Sequence, residues 1–211
     1  MKKALLISGG SKVSKSLIEK YKGRFTIVAD GGMKMLREYN IKPNLIMGDL
    51  DSMDLATIKF IRDNDIKIGI FPSNKNLTDT EICLNKLIEM DYKDIIILSA
   101  RGSRSDHELA NIFLLIKLYK KNILAKIVDG NNEIYFLGKG TYIFKKDNKK
   151  YLSLISLSKN SVYSTKGFKY EVESLMISRD NPGFGVSNEI KDTIGKIIIE
   201  KGKVFLIRSN D

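Results

Sequence analysis

The chain has 211 residues, of which 43% are hydrophobic and 29% charged, with three prolines and one cysteine. This length can bury one substantial core, or one ordinary domain and a smaller one, and the composition excludes a disordered or fibrous protein. A single cysteine, Cys83, excludes an internal disulfide, and with only one histidine it also excludes a structural zinc site.

The net charge of +11 is spread along the chain rather than gathered in a tail. Residues 1–128 carry 22 basic and 15 acidic side chains, and residues 129–211 carry 14 and 10. A lysine-rich, solvated surface accounts for this pattern, so we expect no nucleic acid as the primary partner. The apolar run at residues 4–7 is too short for a signal sequence or a membrane span, which favours a cytoplasmic protein without a membrane partner.

In the first part of the chain, short β-rich apolar runs alternate with segments of helical periodicity. Strands are predicted at residues 3–8, 25–29, 45–47, 66–71, 95–99 and 124–128. Helices are predicted at residues 14–22, 33–39, 55–64, 79–90 and 106–121. This alternation is typical of a parallel sheet covered by helices, and it predicts a Rossmann-like α/β domain at residues 1–129.

From residue 130 the pattern changes to the period-two alternation of β-strands, which predicts a smaller all-β, sandwich-like domain at residues 130–211. Turn residues predict hairpins at 138–140 and 146–149. A last hairpin is predicted between residues 196–200 and 203–208. The sequence has no long linker, so two closely packed domains are expected.

Acidic residues recur just after the predicted strands, where ligands bind in open α/β sheets. Asp30 follows the second strand in Ala-Asp-Gly-Gly, whose glycines favour a tight turn. Asp49 and Asp51 follow the third strand, and alternate residues of an extended segment face the same way, which suits one Mg²⁺ ion. Turn formation and helix capping explain the same residues without any ligand, so both readings stay open.

Two further aspartates lie in similar local sequences, Thr-Asp-Thr-Glu at residues 78–81 and Ser-Asp-His-Glu at residues 105–108. Each sequence predicts a capping box with Asp79 or Asp106 at the first helical position. Acidic residues complement the helix dipole there, and the same position directs their carboxylates toward the ligand-binding edge. Lys75 and Arg104 precede the two boxes and are candidates for polyphosphate contact. The only histidine, His107, is kept out of the catalytic set.

Several nucleotide-binding signatures are missing or incomplete. The sequence lacks the Gly-x-x-x-x-Gly-Lys-Ser/Thr of a P-loop. Gly9 and Gly10 after the first strand, with Asp30 about twenty residues later, resemble the dinucleotide-binding layout without its second and third glycines. A nicotinamide-dependent oxidoreductase is therefore the enzymatic alternative, and a basic RNA-binding module is the non-enzymatic one.

Five motifs occur in order along nearly the whole chain: Ala-Asp-Gly-Gly at 29–32, Gly-Asp-Leu-Asp-Ser at 48–52, Lys-x-x-Thr-Asp-x-Glu at 75–81, Gly-Ser-Arg-Ser-Asp-His at 102–107 and Gly-Val-Ser-Asn-Glu at 185–189. Taken together, they resemble the thiamine pyrophosphokinase family. The resemblance implies transfer of a pyrophosphoryl group from ATP to the hydroxyl of thiamine, giving thiamine diphosphate and AMP. It also implies Mg²⁺ and a homodimer with sites at its interface.

The same resemblance implies roles for individual residues. Asp49, Asp51 and Asp79 match the magnesium and catalytic carboxylates, and Asp79 is a candidate acceptor of the hydroxyl proton. Arg104 is expected to offset charge in the transition state. The remaining matches are Asp30, Lys75, Thr78 and Asp106 on the ATP side, and Ser187 and Asn188 on the thiamine side. Ser103 departs from the family, which usually has a second glycine there.

Overall fold

The structure is a computed structural model, and it describes residues 1–48, 53–70 and 77–211. The chain folds as two compact units, Met1–Gly130 and Asn131–Asp211. The predicted fold class is confirmed, because a parallel α/β unit precedes a β-rich one. No helix in the described residues is long and apolar enough to cross a membrane.

In its described residues, the first unit contains six strands and five helices that alternate along the chain. The strands are β1 (Lys3–Ile7), β2 (Phe25–Ala29), β3 (Leu45–Met47), β4 (Lys67–Gly69), β5 (Asp94–Leu98) and β6 (Leu124–Val128). The helices are α1 (Lys15–Glu19), α2 (Asp30–Glu38), α3 (Leu55–Asp63), α4 (Asp79–Glu89) and α5 (Ser105–Lys120).

All six strands pair in parallel, in the order β6-β5-β1-β2-β3-β4. From β1 the chain moves outward through β2, β3 and β4, and then crosses to the other side of β1 for β5 and β6. The direction of winding therefore reverses between β1 and β5, which is the switch point where doubly wound sheets bind ligands. The central strands are buried on both faces, as their continuous apolar runs predict.

Helix α2 begins three residues earlier than the periodicity predicts. Ala29 is its N-cap, and Asp30 is its first helical residue. The glycines after Asp30 allow the helix to approach β1, because a Cβ on Gly32 would lie 2.7 Å from the Ser8 carbonyl oxygen. A Cβ on Gly31 would likewise lie 3.2 Å from the Gly9 Cα. The predicted tight turn at Asp30 is therefore wrong, since the glycines serve close packing inside a helical turn.

The second unit is a sandwich of two antiparallel sheets. Its strands are β7 (Asn132–Leu137), β8 (Gly140–Lys145), β9 (Tyr151–Ser156), β10 (Asn160–Lys166), β11 (Leu175–Ser178), β12 (Asn188–Glu189), β13 (Ile194–Lys201) and β14 (Val204–Ser209). In this unit one sheet has the order β12-β9-β14-β7 and the other β11-β10-β13-β8. Buried side chains from both sheets, such as Leu154, Leu206, Ile177 and Ile197, share one core.

The three predicted hairpins are wrong, although their turns exist. The turns after β7, β8 and β13 each carry the chain into the other sheet, so the strands that they join do not pair. Instead, β13 pairs with β8 and β10, whereas β14 pairs with β7 and β9. Turn residues predict where a chain reverses, but they do not determine which sheet receives the next strand.

Candidate active site

A cavity of about 460 Å³ lies at the carboxyl ends of β1 and β5, at the switch point of the parallel sheet. Its walls are residues 8–11 after β1, Gly31 in α2, residues 78–80 at the start of α4, residues 100–104 after β5, and His107, Glu108 and Asn111 in α5. Both the α4 and α5 helices therefore begin at this cavity. A helix N-terminus favours an anion, because its first N–H groups have no partner within the helix.

The loops after β1 and β5 are joined by their backbones. The Gly10 N–H donates to the Ser99 carbonyl at 2.7 Å, and the Ser11 N–H donates to the Arg101 carbonyl at 2.7 Å. A Cβ on Gly10 would lie 2.3 Å from the Arg101 oxygen and 2.4 Å from the Ser99 oxygen. Glycine is thus required at position 10 for the two loops to meet.

Arg101 anchors the second of these loops. Its Nε donates to Glu108 Oε1 at 2.6 Å, and its Nη1 donates to Asp129 Oδ2 at 2.8 Å. Burial lowers the pKa of the Arg101 guanidinium, but the bonds to these two carboxylates outweigh burial and raise the pKa above its ordinary value. Beside it, the Asn111 amide donates to the Ala100 carbonyl at 2.8 Å. The loop is therefore attached to α5 at two adjacent residues.

Arg104 lies at the cavity and forms a two-bond ion pair with Asp106. Arg104 Nε donates to Asp106 Oδ1 at 3.2 Å, and Arg104 Nη2 donates to Asp106 Oδ2 at 2.6 Å. The bond from Arg104, supported by the His107 backbone N–H, lowers the pKa of Asp106 to about 2. Both side chains are about two-thirds exposed, at 67% and 65%, so a phosphate in the cavity can reach the guanidinium without breaking a buried pair.

The predicted capping box at the start of α5 is wrong. Arg104 is the N-cap and has no side-chain capping bond, and Ser105 is the first helical residue. Asp106 consequently occupies the second helical position. The Glu108 side chain, which a capping box would direct back along the helix, bonds to Arg101 instead.

The box at the start of α4 is half confirmed. Thr78 is the N-cap, and its hydroxyl accepts the Glu81 backbone N–H at 3.3 Å, with Asp79 at the first helical position as predicted. The Glu81 carboxylate, however, binds Lys117 of α5 at 2.9 Å. An ion pair with a distant residue therefore replaces the bond that the Glu81 side chain of a capping box would make to the N-cap backbone.

Asp30 lies beside the end of β3. A Cβ on Gly48 would be 2.6 Å from the Asp30 Cβ, so the aspartate packs against the residue that precedes Asp49. The pKa of the buried Cys83 thiol responds to the same aspartate. Burial raises this pKa, and the negative charges of Asp79 and Asp30 raise it further. Two of the predicted carboxylates are therefore close enough to one thiol to affect its titration.

The predicted magnesium ligands can be compared with the structure only in part. Asp49, Asp51 and Lys75 lie outside the described residues. The described residues contain no group of three or more His, Cys, Asp or Glu side chains that could hold a metal. Asp79 and Asp30 supply carboxylate oxygens, the donor type that Mg²⁺ prefers, and Mg²⁺ commonly takes only one or two of them from the protein. The residues present therefore fit Mg²⁺ in their chemistry.

In the β unit, Ser187 and Asn188 lie after the 3-10 helix Pro182–Gly185. Asn188 Oδ1 accepts the Tyr170 N–H at 3.1 Å, and its Nδ2 donates to the Tyr170 carbonyl at 2.8 Å. Ser187 is exposed at a left-handed φ of 61°, and its N–H donates to the Ser153 hydroxyl. Tyr170 is 60% exposed, and the Lys169 ammonium lies 5.5 Å from the centroid of its ring. The exposed Tyr170 ring and the exposed Ser187 hydroxyl thus both belong to neighbours of Asn188, whose side-chain amide binds the Tyr170 backbone.

The structure brings Thr78, Asp79 and Arg104 together at one cavity, whereas Asp30 and Asp106 are neighbours of its lining rather than part of it. Sequence reasoning missed Ser8, Thr80 and Asn111, which also line it. The position of Ser8 directly after β1 and the three-residue spacing of Asn111 from Glu108 are signals that could have revealed these two residues.

A doubly wound parallel unit, with two helix N-termini, glycine-rich loops and an exposed arginine at its switch point, defines an α/β protein suited to nucleotide phosphates. Comparison with known families shows which proteins of this class the chain resembles. Residues 16–127 match the thiamin pyrophosphokinase catalytic domain, and residues 141–204 match the thiamin pyrophosphokinase vitamin B1 binding domain.

Individual relatives agree with the family match. The chain is 31% identical to thiamine pyrophosphokinase of Bacillus subtilis (strain 168), over 100% of both chains. The crystal structure of the Bacillus subtilis enzyme superposes with a TM-score of 0.90 at 28% identity, over 100% of both chains. The Geobacillus thermodenitrificans enzyme gives a TM-score of 0.87 at 27% identity, covering 99% of this chain and 98% of that one.

The chain belongs to the thiamine pyrophosphokinase family. It is a pyrophosphotransferase enzyme, with thiamine and ATP as its substrates. Of the two glycines after β1 that suggested an oxidoreductase, Gly10 is explained by the contact between the two cavity loops, and Gly9 by its close approach to Gly31 of α2.

Proposed function

We propose that the cavity at the switch point binds the phosphates of ATP and that transfer to thiamine depends on Mg²⁺. The observation that carries this proposal is the convergence of Arg104, Asp79 and the N-termini of α4 and α5 on one cavity of about 460 Å³. Phosphate oxygens only accept hydrogen bonds, and this wall offers guanidinium and backbone N–H donors.

Pyrophosphoryl transfer requires in-line attack by the thiamine hydroxyl on the β-phosphorus of ATP, with AMP as the leaving group. Arg104 offsets the charge that develops on the transferred phosphates. Because two hydrogen bonds hold Arg104 against Asp106, its guanidinium is oriented before the nucleotide arrives. Asp79 accepts the hydroxyl proton or fixes the metal, since its carboxylate begins the helix that borders the cavity.

Asp49, Asp51 and Asp79 would hold Mg²⁺, which when bound neutralises phosphate charge. The ATP side consists of Asp30, Lys75, Thr78 and Asp106. Support for Asp30 comes from its packing against Gly48, directly before Asp49.

For the vitamin, we propose that the Ser187 hydroxyl and the exposed Tyr170 ring form the contact surface, with Asn188 holding them in place. Thiamine is a cation, and an aromatic face attracts cations, as the neighbouring Lys169 shows. Within the described chain, the Ser187 hydroxyl makes no side-chain hydrogen bond, so it can serve a ligand.

A homodimer with its sites at the interface between copies is also proposed, on the family resemblance alone. Sedimentation of the purified protein would measure it, and a monomeric mass at micromolar concentration would contradict it. The cytoplasmic location stays a prediction.

The decisive experiment measures AMP release from ATP by the purified protein. We expect release only when thiamine and Mg²⁺ are both present, complete loss with EDTA, and recovery when Mg²⁺ is restored. Asp79→Asn should lower kcat by about 10² or more, as for loss of a group that acts in the transition state. The matched control is Asp63→Asn, an exposed helical aspartate that pairs with Lys59. Release that survives EDTA would show that the metal proposal is wrong.

A further inference from the structure

Two buried hydroxyls join the end of β1 to the first turn of α4. Ser8 is 3% exposed and Thr80 is 4% exposed, and their hydroxyl oxygens lie 2.5 Å apart. Within the described residues each hydroxyl bonds only to the other. Both residues also line the cavity. The pair is thus a direct link between the strand at the switch point and the helix that begins at Asp79.

The neighbours of Asp79 are fixed, although Asp79 itself is exposed. The first turn of a helix tends to fray, because its N–H groups lack helical partners. Here the residue after Asp79 is Thr80, held by Ser8, and the next is Glu81, held by Lys117 at 2.9 Å. The turn is therefore attached to β1 on one side and to α5 on the other, which leaves the Asp79 carboxylate little freedom to move with the backbone.

We propose that the Ser8–Thr80 hydroxyl pair is a positioning device that fixes the Asp79 carboxylate for pyrophosphoryl transfer. The inference rests on the proposed function, in which Asp79 acts on the metal or the hydroxyl proton. Ser8 and Thr80 act through Asp79 and need no contact with the substrates. Because misplacement by about 1 Å can cost about 10²-fold in rate, a single bond that limits such movement is worth a measurable part of kcat.

The test is a double-mutant cycle with a conservative rescue. Thr80→Val keeps the shape of Thr80 but removes its hydroxyl, Ser8→Ala removes the other hydroxyl, and Thr80→Ser restores a hydroxyl. We expect Thr80→Val and Ser8→Ala each to lower kcat about tenfold and to raise the Mg²⁺ concentration for half-maximal rate, with the thiamine KM unchanged. The double variant should be no slower than either single variant, because both remove one and the same bond. Thr80→Ser should recover most of the rate.

A readout independent of turnover is hydrogen exchange of the Glu81 amide, which the Thr78 hydroxyl accepts within this turn. Exchange at Glu81 should accelerate about tenfold in Thr80→Val and in Ser8→Ala. If exchange is unchanged, or if the two single effects on kcat multiply in the double variant, the positioning role is refuted. If the wild-type protein releases no AMP, the proposed function fails, while the exchange measurement still decides whether the pair holds this turn.

The chain offers a matched control in its β unit. Ser156 and Ser161 form another buried hydroxyl pair, with 2.8 Å between their oxygens. Ser156→Ala should lower Tm, as Ser8→Ala should, because it removes the bonds of the buried Ser156 hydroxyl to Ser161 and to the Ser158 carbonyl. It should leave kcat, the Mg²⁺ dependence and Glu81 exchange unchanged. If Ser156→Ala raised the Mg²⁺ concentration for half-maximal rate as much as Ser8→Ala does, the Ser8–Thr80 pair would contribute only to general stability. That result would overturn the proposal.

Discussion

Replacement of Gly10 by alanine tests whether the contact between the two cavity loops matters for both folding and turnover. The new Cβ would lie 2.3 Å from the Arg101 oxygen and 2.4 Å from the Ser99 oxygen. An ordinary carbon–oxygen contact is about 3.3 Å, so the loops must separate by about 1 Å. Both carbonyls are fixed backbone groups, and no flexible side chain can move aside instead.

Such a separation breaks two hydrogen bonds, those from the Gly10 and Ser11 N–H groups, both 2.7 Å long. Each contributes about 0.5–1.5 kcal/mol, and overpacking adds about 1–3 kcal/mol. We therefore expect a loss of about 3 kcal/mol in the free energy of unfolding. For a protein of this size that lowers Tm by about 6–12 °C, at about 2–4 °C for each kcal/mol. Displacement of the cavity wall by about 1 Å should also lower kcat by about 10²-fold.

The assays are differential scanning calorimetry and AMP release at saturating ATP and thiamine. Gly130→Ala is the control, because a Cβ there meets nothing within 4 Å and the backbone is not in the left-handed region. It should leave Tm and turnover near their wild-type values. A Gly10→Ala protein with wild-type Tm would refute the steric reasoning. A lowered Tm with wild-type turnover would refute the assignment of this wall to the active site.

Two other predictions concern the remaining candidate residues. Ser187→Ala should raise the thiamine KM about fivefold, the value of roughly one hydrogen bond, while the ATP KM is unchanged; an equal effect on both would contradict the thiamine assignment. Asp106 has a pKa of about 2, below the ordinary value of about 3.9 for an aspartate in an unfolded chain. Its pairing with Arg104 therefore stabilises the fold fully above about pH 4, and this stabilisation is lost as the pH falls through about 2. Arg104→Gln should raise the Asp106 pKa in a carboxyl NMR titration, and an unchanged pKa would show that Arg104 is not its cause.

The parallel unit could be predicted from the sequence because its signals are local. Continuous apolar runs identified the central strands, and helical periodicity identified α3, α4 and α5 within one or two residues at each end. The start of α2 was missed because Gly31 and Gly32 resemble a turn, and their need for close contact with β1 depends on tertiary packing. The pairing of β13 with β8 could not be read from local turns either, since those strands are about fifty residues apart.

The site shows the same division between local and distant information. Thr78 as a cap and Asp79 as the first helical residue follow from the four adjacent residues 78–81. Glu81 binds Lys117 and Glu108 binds Arg101, both outside the predicted boxes, so the sequence predicted capping bonds that do not form. The contact between the Ser8 and Thr80 hydroxyls could not be predicted from the sequence, because the two residues are 72 positions apart.

The place of β14 within its sheet has a consequence for the order in which the molecule forms. This strand is the last of the β unit along the chain, yet it lies between β7 and β9 and pairs with both. During synthesis, β7 and β9 are made before the strand that joins them, so the edge of each that faces β14 remains unpaired until β14 has been made. Non-local pairing of this kind slows folding and exposes strand edges to other chains. Until β14 has been made, the nascent β unit presents unpaired strand edges to which chaperones or other chains can bind.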